Sequence, residues 1–260
     1  MLRIVQITDT HLYADPGRQY YGVNTDETLR RVLARIASGE GDAGLVLLTG
    51  DLVHDESEQG YARLRGYLEK LGLPVYCLPG NHDDADLMPR VLSGGQLSCE
   101  GWVCRDGWQI ILLDSTVPGE VGGRVGAAEL RRLDACLSAR PDLHALVCLH
   151  HPPQPSGCAW LDEGLILDNP DELFAVVEAH ANARAMLWGH IHQAFDREYR
   201  GLRLMGSPST MLQFKPGAAE FAIDDADPGY RWLHLHEDGR VESGIVRVGE
   251  AAAPAYNMGP

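Results

Sequence analysis

The sequence predicts an α/β fold with largely parallel sheets, followed by antiparallel strands. Short apolar, β-branched-rich runs recur up to Gly189, and stretches with helical spacing separate several of them. After Gly189 the texture changes to short alternating segments broken by Gly, Pro and Asp.

The first run, Leu2 to Ile7, reads as a buried strand, and Asn24 with Glu27 forms a capping-box arrangement that opens a helix over Thr28 to Ile36. Buried strands follow at Leu45 to Leu48, Val75 to Leu78, Ile110 to Leu113, Ala145 to Leu149 and Ala185 to Trp188. Helices are expected over Tyr61 to Leu71, Ala127 to Leu137 and Glu172 to Ala179. Antiparallel strands are expected at Phe195 to Tyr199, Leu202 to Met205, Ala219 to Ile223, Tyr230 to His236 and Arg240 to Val248. No repeat or linker divides the chain, so residues 1–249 read as one domain and the Ala-, Pro- and Gly-rich stretch 250–260 as a loose tail.

The 260 residues are 45% hydrophobic and 23% charged, a globular balance. A formal charge of −15 disfavours a surface that tracks nucleic acid or an anionic membrane. No run approaches the roughly 18 to 20 apolar residues of a bilayer span, and Leu2 to Ile7 lacks the flanks of a signal peptide. A cytoplasmic location is the expectation. The six cysteines include no C-x-x-C pair and several interrupt apolar runs, so neither structural disulfides nor a thiolate zinc site is expected.

Five apolar runs end in metal-capable residues: Asp9-Thr10-His11, Gly50-Asp51, Gly80-Asn81-His82-Asp83, His150-His151-Pro152-Pro153 and Gly189-His190-Ile191-His192. In open α/β sheets ligands bind beyond the carboxyl ends of strands, so neighbouring ends of this kind converge on one crevice. Carboxylate, imidazole and one amide oxygen make a mixed donor set suited to Mn, Fe or Zn rather than Ca. Gly50, Gly80 and Gly189 each precede a ligand, where the backbone turns sharply or is closely approached. A lone D-x-H or H-x-H is usually a solvated strand end. Seven of the 11 histidines, however, lie in or beside these motifs.

In this order, D-x-H, G-D, G-N-H-D, H-H-P and G-H-x-H resemble the calcineurin-like metallophosphoesterases, over Leu2 to His192. That resemblance implies a four-layer αββα sandwich of two mixed sheets flanked by helices, with a dinuclear site at the strand ends. It implies that Asp9, His11 and His192 hold one divalent ion, that Asn81, His150 and His190 hold the other, and that Asp51 bridges them. Fe and Mn are expected ahead of Zn. Further segments resemble the bacterial class III cyclic-AMP phosphodiesterases: Gly22-Val23-Asn24-Thr25, Ser156 to Asp162, Gly189 to Gln193, Pro208-Ser209-Thr210 and Gln213 to Pro216.

The expected reaction is hydrolysis of 3′,5′-cyclic AMP to 5′-AMP by a hydroxide bridging the two metals, with a glycerophosphodiester or broad-specificity phosphodiesterase as the alternative. A binding module without catalysis is disfavoured by the complete ligand set. His82 is the candidate for contacting the phosphoryl oxygens or protonating the departing ribose oxygen. The resemblance adds substrate contacts through His11, Asp51, Asn81 and His192. A cyclic nucleotide is the expected partner, with nucleic acid and membrane excluded and a homodimer left open.

Other residues carry plainer readings. His151 is open between substrate contact and orientation of its neighbour. His54 reads as a solvated loop residue, and His144, His180, His234 and His236 stand outside the site. Trp160 reads as a loop aromatic closing the core, with base stacking as the alternative, and Asn24 as a helix cap. Phe214 and Lys215 are open between lining the pocket and forming an ordinary turn.

Overall fold

A computed structural model describes residues 1–249; the expected loose tail, 250–260, lies outside the described residues. Twelve strands form two six-stranded sheets. The first sheet contains β1 (Leu2–Ile7), β2 (Leu45–Thr49), β3 (Val75–Leu78) and β4 (Leu97–Ser98). The second contains β5 (Trp102–Arg105), β6 (Trp108–Leu112), β7 (His144–Cys148), β8 (Ala183–Trp188), β9 (Phe195–Tyr199) and β10 (Leu202–Gly206). The last two strands, β11 (Gly229–Leu235) and β12 (Val241–Arg247), return to the first sheet, giving the order β12-β11-β1-β2-β3-β4. The second sheet runs β9-β10-β8-β7-β6-β5.

Period-two alternation sorts the side chains into layers. Leu2 and Ile4 of β1 and Leu45 and Leu47 of β2 meet Ile110, Leu112, Leu146, Cys148, Ala185 and Leu187 of the other sheet in one buried cluster. The opposite parity, Val5, Ile7, Val46 and Leu48, packs under helices α1 (Thr25–Gly39) and α2 (Glu58–Glu69). On the far side Ile111, Val147, Met186 and Trp188 pack under α3 (Ala127–Ala139) and α4 (Pro170–Glu178). Each fully buried leucine stabilises these interfaces by about 1.5–3 kcal/mol. The result is helices, sheet, sheet, helices, the four-layer sandwich implied by the motif set.

The helix starts agree with their sequence signals. Asn24 Oδ1 accepts from Glu27 N at 3.0 Å, and Pro170 opens α4, where its missing N–H costs nothing. Both sheets are mixed. Neighbours β1 to β4 run parallel, as do β6, β7, β8 and β10, while β5, β9, β11 and β12 pair antiparallel.

Two expectations change. The segment after Gly189 is not wholly antiparallel: β9 runs to the sheet edge and β10 folds back between β9 and β8, parallel to β8. The expected strand over Ala219 to Ile223 shrinks to Ile223–Asp224, paired with Gln213–Phe214. β5 has no counterpart among the expected strands, because an edge strand exposed at both ends carries no clear alternation.

Candidate dinuclear metal site

All seven residues expected to hold metals lie beyond the carboxyl ends of β1, β2, β3, β7 and β8. Asp9, His11, Asp51, His190 and His192 have left-handed backbone, with φ of 54°, 44°, 54°, 65° and 48°. Such non-glycine conformations cluster where function fixes the backbone. Two glycines permit the approach: a Cβ on Gly189 would stand 2.0 Å from Thr8 Oγ1 and 2.7 Å from Asp9 Oδ2, and one on Gly80 would stand 2.2 Å from Asp51 Oδ1.

The donor atoms form two groups. In the first, His192 Nε2 lies 3.3 Å from both His11 Nε2 and Asp9 Oδ1. In the second, His150 Nε2 lies 3.2 Å from both Asn81 Oδ1 and His190 Nδ1. Asp51 faces both: its Oδ2 is 3.7 Å from His11 Nε2 and its Oδ1 is 3.3 Å from His150 Nε2. Asp9 also comes within reach of Asp51 and His150.

Outer partners set the tautomers. A backbone carbonyl only accepts, so His150 Nδ1 donates to Thr49 O at 2.8 Å and His192 Nδ1 donates to Leu212 O at 2.9 Å. In the neutral rings each Nε2 then presents a lone pair to the centre. His190 Nε2 is buried with no hydrogen-bond partner among the described residues. Imidazole nitrogens facing one another around two buried carboxylates, with no lysine or arginine among the described residues lining the cleft, fit divalent cations.

Without cations, electrostatics separate His150 from His11 and His190. Burial opposes charge on both members of the His150–Asp51 pair, yet their attraction outweighs it, raising the histidine and holding the carboxyl well below its usual range. Burial drives His11 and His190 well below the ordinary imidazole value, so both stay neutral and able to donate lone pairs. Asp83 anchors the surrounding loops. It accepts from Leu52 N, Val53 N and Gly80 N at 2.9–3.1 Å and from Tyr61 Oη at 2.9 Å. Burial, reinforced by the nearby Asp51, pushes its carboxyl up to about 6.

The remaining candidates separate cleanly. His82 lines the cleft, and its backbone N–H donates to Asp51 Oδ1 at 2.9 Å. His54 is not the solvated loop residue expected: it is half-buried, stacks on His82 at 4.3 Å and places Nδ1 3.1 Å from His11 Nδ1. No sequence signal marked it, because a Gly-Asp turn is followed by loop residues of any kind.

His151 resolves toward packing. Its Nδ1 pairs with Ser115 Oγ at 2.8 Å and its Nε2 with Val121 O at 3.1 Å, which leaves neither nitrogen for substrate. Trp160 and Phe214 line the cleft, whereas Lys215 is exposed in a turn. His144, His180, His234 and His236 pair with surface groups elsewhere, as expected.

Residues 2–194 match the family described as calcineurin-like phosphoesterase. The chain is 41% identical over 245 residues to a 3′,5′-cyclic adenosine monophosphate phosphodiesterase CpdA of Pseudomonas aeruginosa, covering 94% of this chain and 89% of that protein. To the protein of the same name from Escherichia coli K12 it is 38% identical, covering 96% and 90%. A dimetal phosphatase from Danio rerio shares the fold with a TM-score of 0.67 at 16% identity, covering 95% and 99% of the two chains. Strand ends, donor groups and the match over residues 2–194 thus agree, and the chain belongs to the calcineurin-like phosphoesterase family.

Proposed function

We propose that this chain hydrolyses 3′,5′-cyclic AMP to 5′-AMP at a site for two divalent cations. The observation that carries the reading is the pair of donor groups sharing Asp51, in a chain similar over nearly its whole length to relatives named for that reaction. Asp9, His11 and His192 would hold one cation and Asn81, His150 and His190 the other, with Asp51, which faces both groups, shared between them. When bound, the pair acidifies water and neutralises charge on the attacking and leaving oxygens.

The chain's own residues do the rest. Thr49 and Leu212 carbonyls orient His150 and His192, and the Asp83 anchor fixes the loops that carry Asp51 and Asn81. His11, Asp51, Asn81 and His192 meet the phosphate. His82 lies beside it and protonates the departing ribose oxygen. Among the described residues no lysine or arginine lines the cleft and the protein carries −15, so attraction for an anionic diester is local to the cations.

Residues 1–249 act as one catalytic unit, because a single apolar cluster joins the two sheets. No helix among the described residues is long and apolar enough to cross a membrane. Six free cysteines suit a reducing, cytoplasmic setting. The mixed donors suit Fe or Mn, which metal analysis of protein purified without added metal will identify.

The reaction forms a bond from phosphorus to a water oxygen, breaks the bond to O3′ and passes a proton to O3′. Hydrolysis in isotopically labelled water should therefore yield 5′-AMP with one solvent oxygen on its phosphate. Finding 3′-AMP, or no cyclic-AMP turnover by fully metallated protein that cleaves other diesters, would overturn the assignment.

A further inference from the structure

Above the donor groups lies a cleft of about 200 Å³ whose other wall is aromatic. Its rings touch in a closed circuit. Phe214 lies parallel to His192, with centroids 4.2 Å apart and planes 9° apart. Trp160 meets Phe214 edge-on at 5.1 Å and Phe221 at 5.2 Å. Tyr21 leans on Phe221 at 5.2 Å and on Tyr20 at 4.7 Å, and Tyr20 stacks on His11 at 5.6 Å. His11 and His192 close the ring at 5.3 Å.

The collar has a direction. Its floor is two buried histidines of the donor groups, while at its rim Tyr21 and Phe221 are 58% and 44% exposed. Segments distant in sequence are spent on building it. One hairpin turns at Tyr21 and Gly22, both at positive φ, and a second ribbon carries Phe214, with Phe221 in the loop before its return strand. Trp160 sits on the single turn Ala159–Asp162, which is pinned by the Asp162 carboxylate accepting from Ser156 N, Ser156 Oγ and Gly157 N at 2.7–2.9 Å.

Large aromatics exposed at a cleft mouth gain by covering a flat apolar surface, and every nucleobase presents such a face. We infer that this collar is the seat of the nucleobase, held chiefly by Trp160, Phe214 and the Tyr21–Phe221 rim while the phosphate rests on the floor. The inference rests on the phosphodiesterase reading above and adds to it the part of the substrate that the metal motifs do not touch.

The test compares cyclic AMP with the abasic 1-deoxyribose 3′,5′-cyclic phosphate on metallated protein. Trp160→Ala and Tyr21→Ala should raise KM for cyclic AMP about five- to hundredfold, the worth of one stacked base, and leave kcat/KM for the abasic ester unchanged. Trp160→Phe should recover most of the loss. By calorimetry, 5′-AMP should bind more weakly to the variants while inorganic phosphate binds as before, with metal content unaltered.

Because Trp160 also packs against the core, Tyr21→Ala at the exposed rim carries the test if Trp160→Ala fails to fold. Equal losses for both esters, or an unchanged KM for cyclic AMP, would overturn the collar's role while leaving the activity standing. Wild-type protein that turns over neither ester would overturn the activity itself.

Discussion

Removing the Asp51 carboxylate takes away the group whose two oxygens face both sets of donors. Asp51→Asn should lose metal and lower turnover by more than the about 10- to 100-fold that outer partners of a metal site typically cost. Metal analysis beside steady-state kinetics checks this, with circular dichroism to confirm the fold; two bound metals and near-normal turnover would remove Asp51 from its bridging role. His82 is expected to behave differently, because its ring lines the cleft while Asn81 beside it, with Oδ1 facing His150 Nε2, is the proposed ligand. His82→Ala should keep its metals and lose about 10²- to 10⁴-fold in kcat, the range of general acid or base assistance. Stoichiometric loss of a metal would reverse the roles of these neighbours. At this scale the motifs were legible because each is short and local. His54 was not, since what makes it matter is contact with His11 and His82, respectively 43 and 28 residues away in the chain.

Elements hold the site through groups at their ends. At the start of α3, Glu129 receives Arg132 at 2.6 Å and accepts from Asp114 N at 3.1 Å, which ties the helix to the segment after β6. Burial alone would raise its pKa, but Arg132 and the Asp114 N–H outweigh burial and hold it below the usual value. A depressed folded pKa stabilises fully above the unfolded value, 4.5, and the gain disappears as pH falls through the folded value. Glu129→Gln should therefore cost about 1 kcal/mol at pH 7 and almost nothing at the acid end of the range. Urea unfolding at a series of pH values measures it; a cost that does not change with pH would show that charge is not the cause. The long helices and buried strands were legible from periodicity and capping. The two ribbons that carry Tyr20, Tyr21 and Phe214 were not, because two-residue strands hold too few positions for alternation to register.

For the whole molecule, the two sheets are joined by the apolar cluster between them and by a buried polar network near the site. Arg231, only 2% exposed, donates to Phe195 O and Gly206 O at 3.0 and 2.8 Å and to Ser207 Oγ at 3.0 Å. Ser207 donates to Gln6, whose Nε2 donates to Thr49 Oγ1 at 2.7 Å and Trp188 O at 3.2 Å. Since the donor groups draw on both sheets, bound cations should brace the assembly. Dialysis against a chelator should abolish turnover and lower the melting temperature, and Mn or Fe should restore both; at 100 times Kd a single bound ligand stabilises by about 2.7 kcal/mol. Unchanged melting on metal removal would separate the site from the stability of the sandwich. What the sequence determined by itself was the alternation that makes an α/β fold, and the candidate metal ligands at five strand ends, since both are encoded in a few consecutive residues. Only the tertiary structure decided that β10 inserts parallel beside β8, that His151 spends both nitrogens on packing, and that aromatic residues from 20 to 221 close one collar. Each of these depends on which distant segments become neighbours, and contact across the fold leaves no local pattern to read.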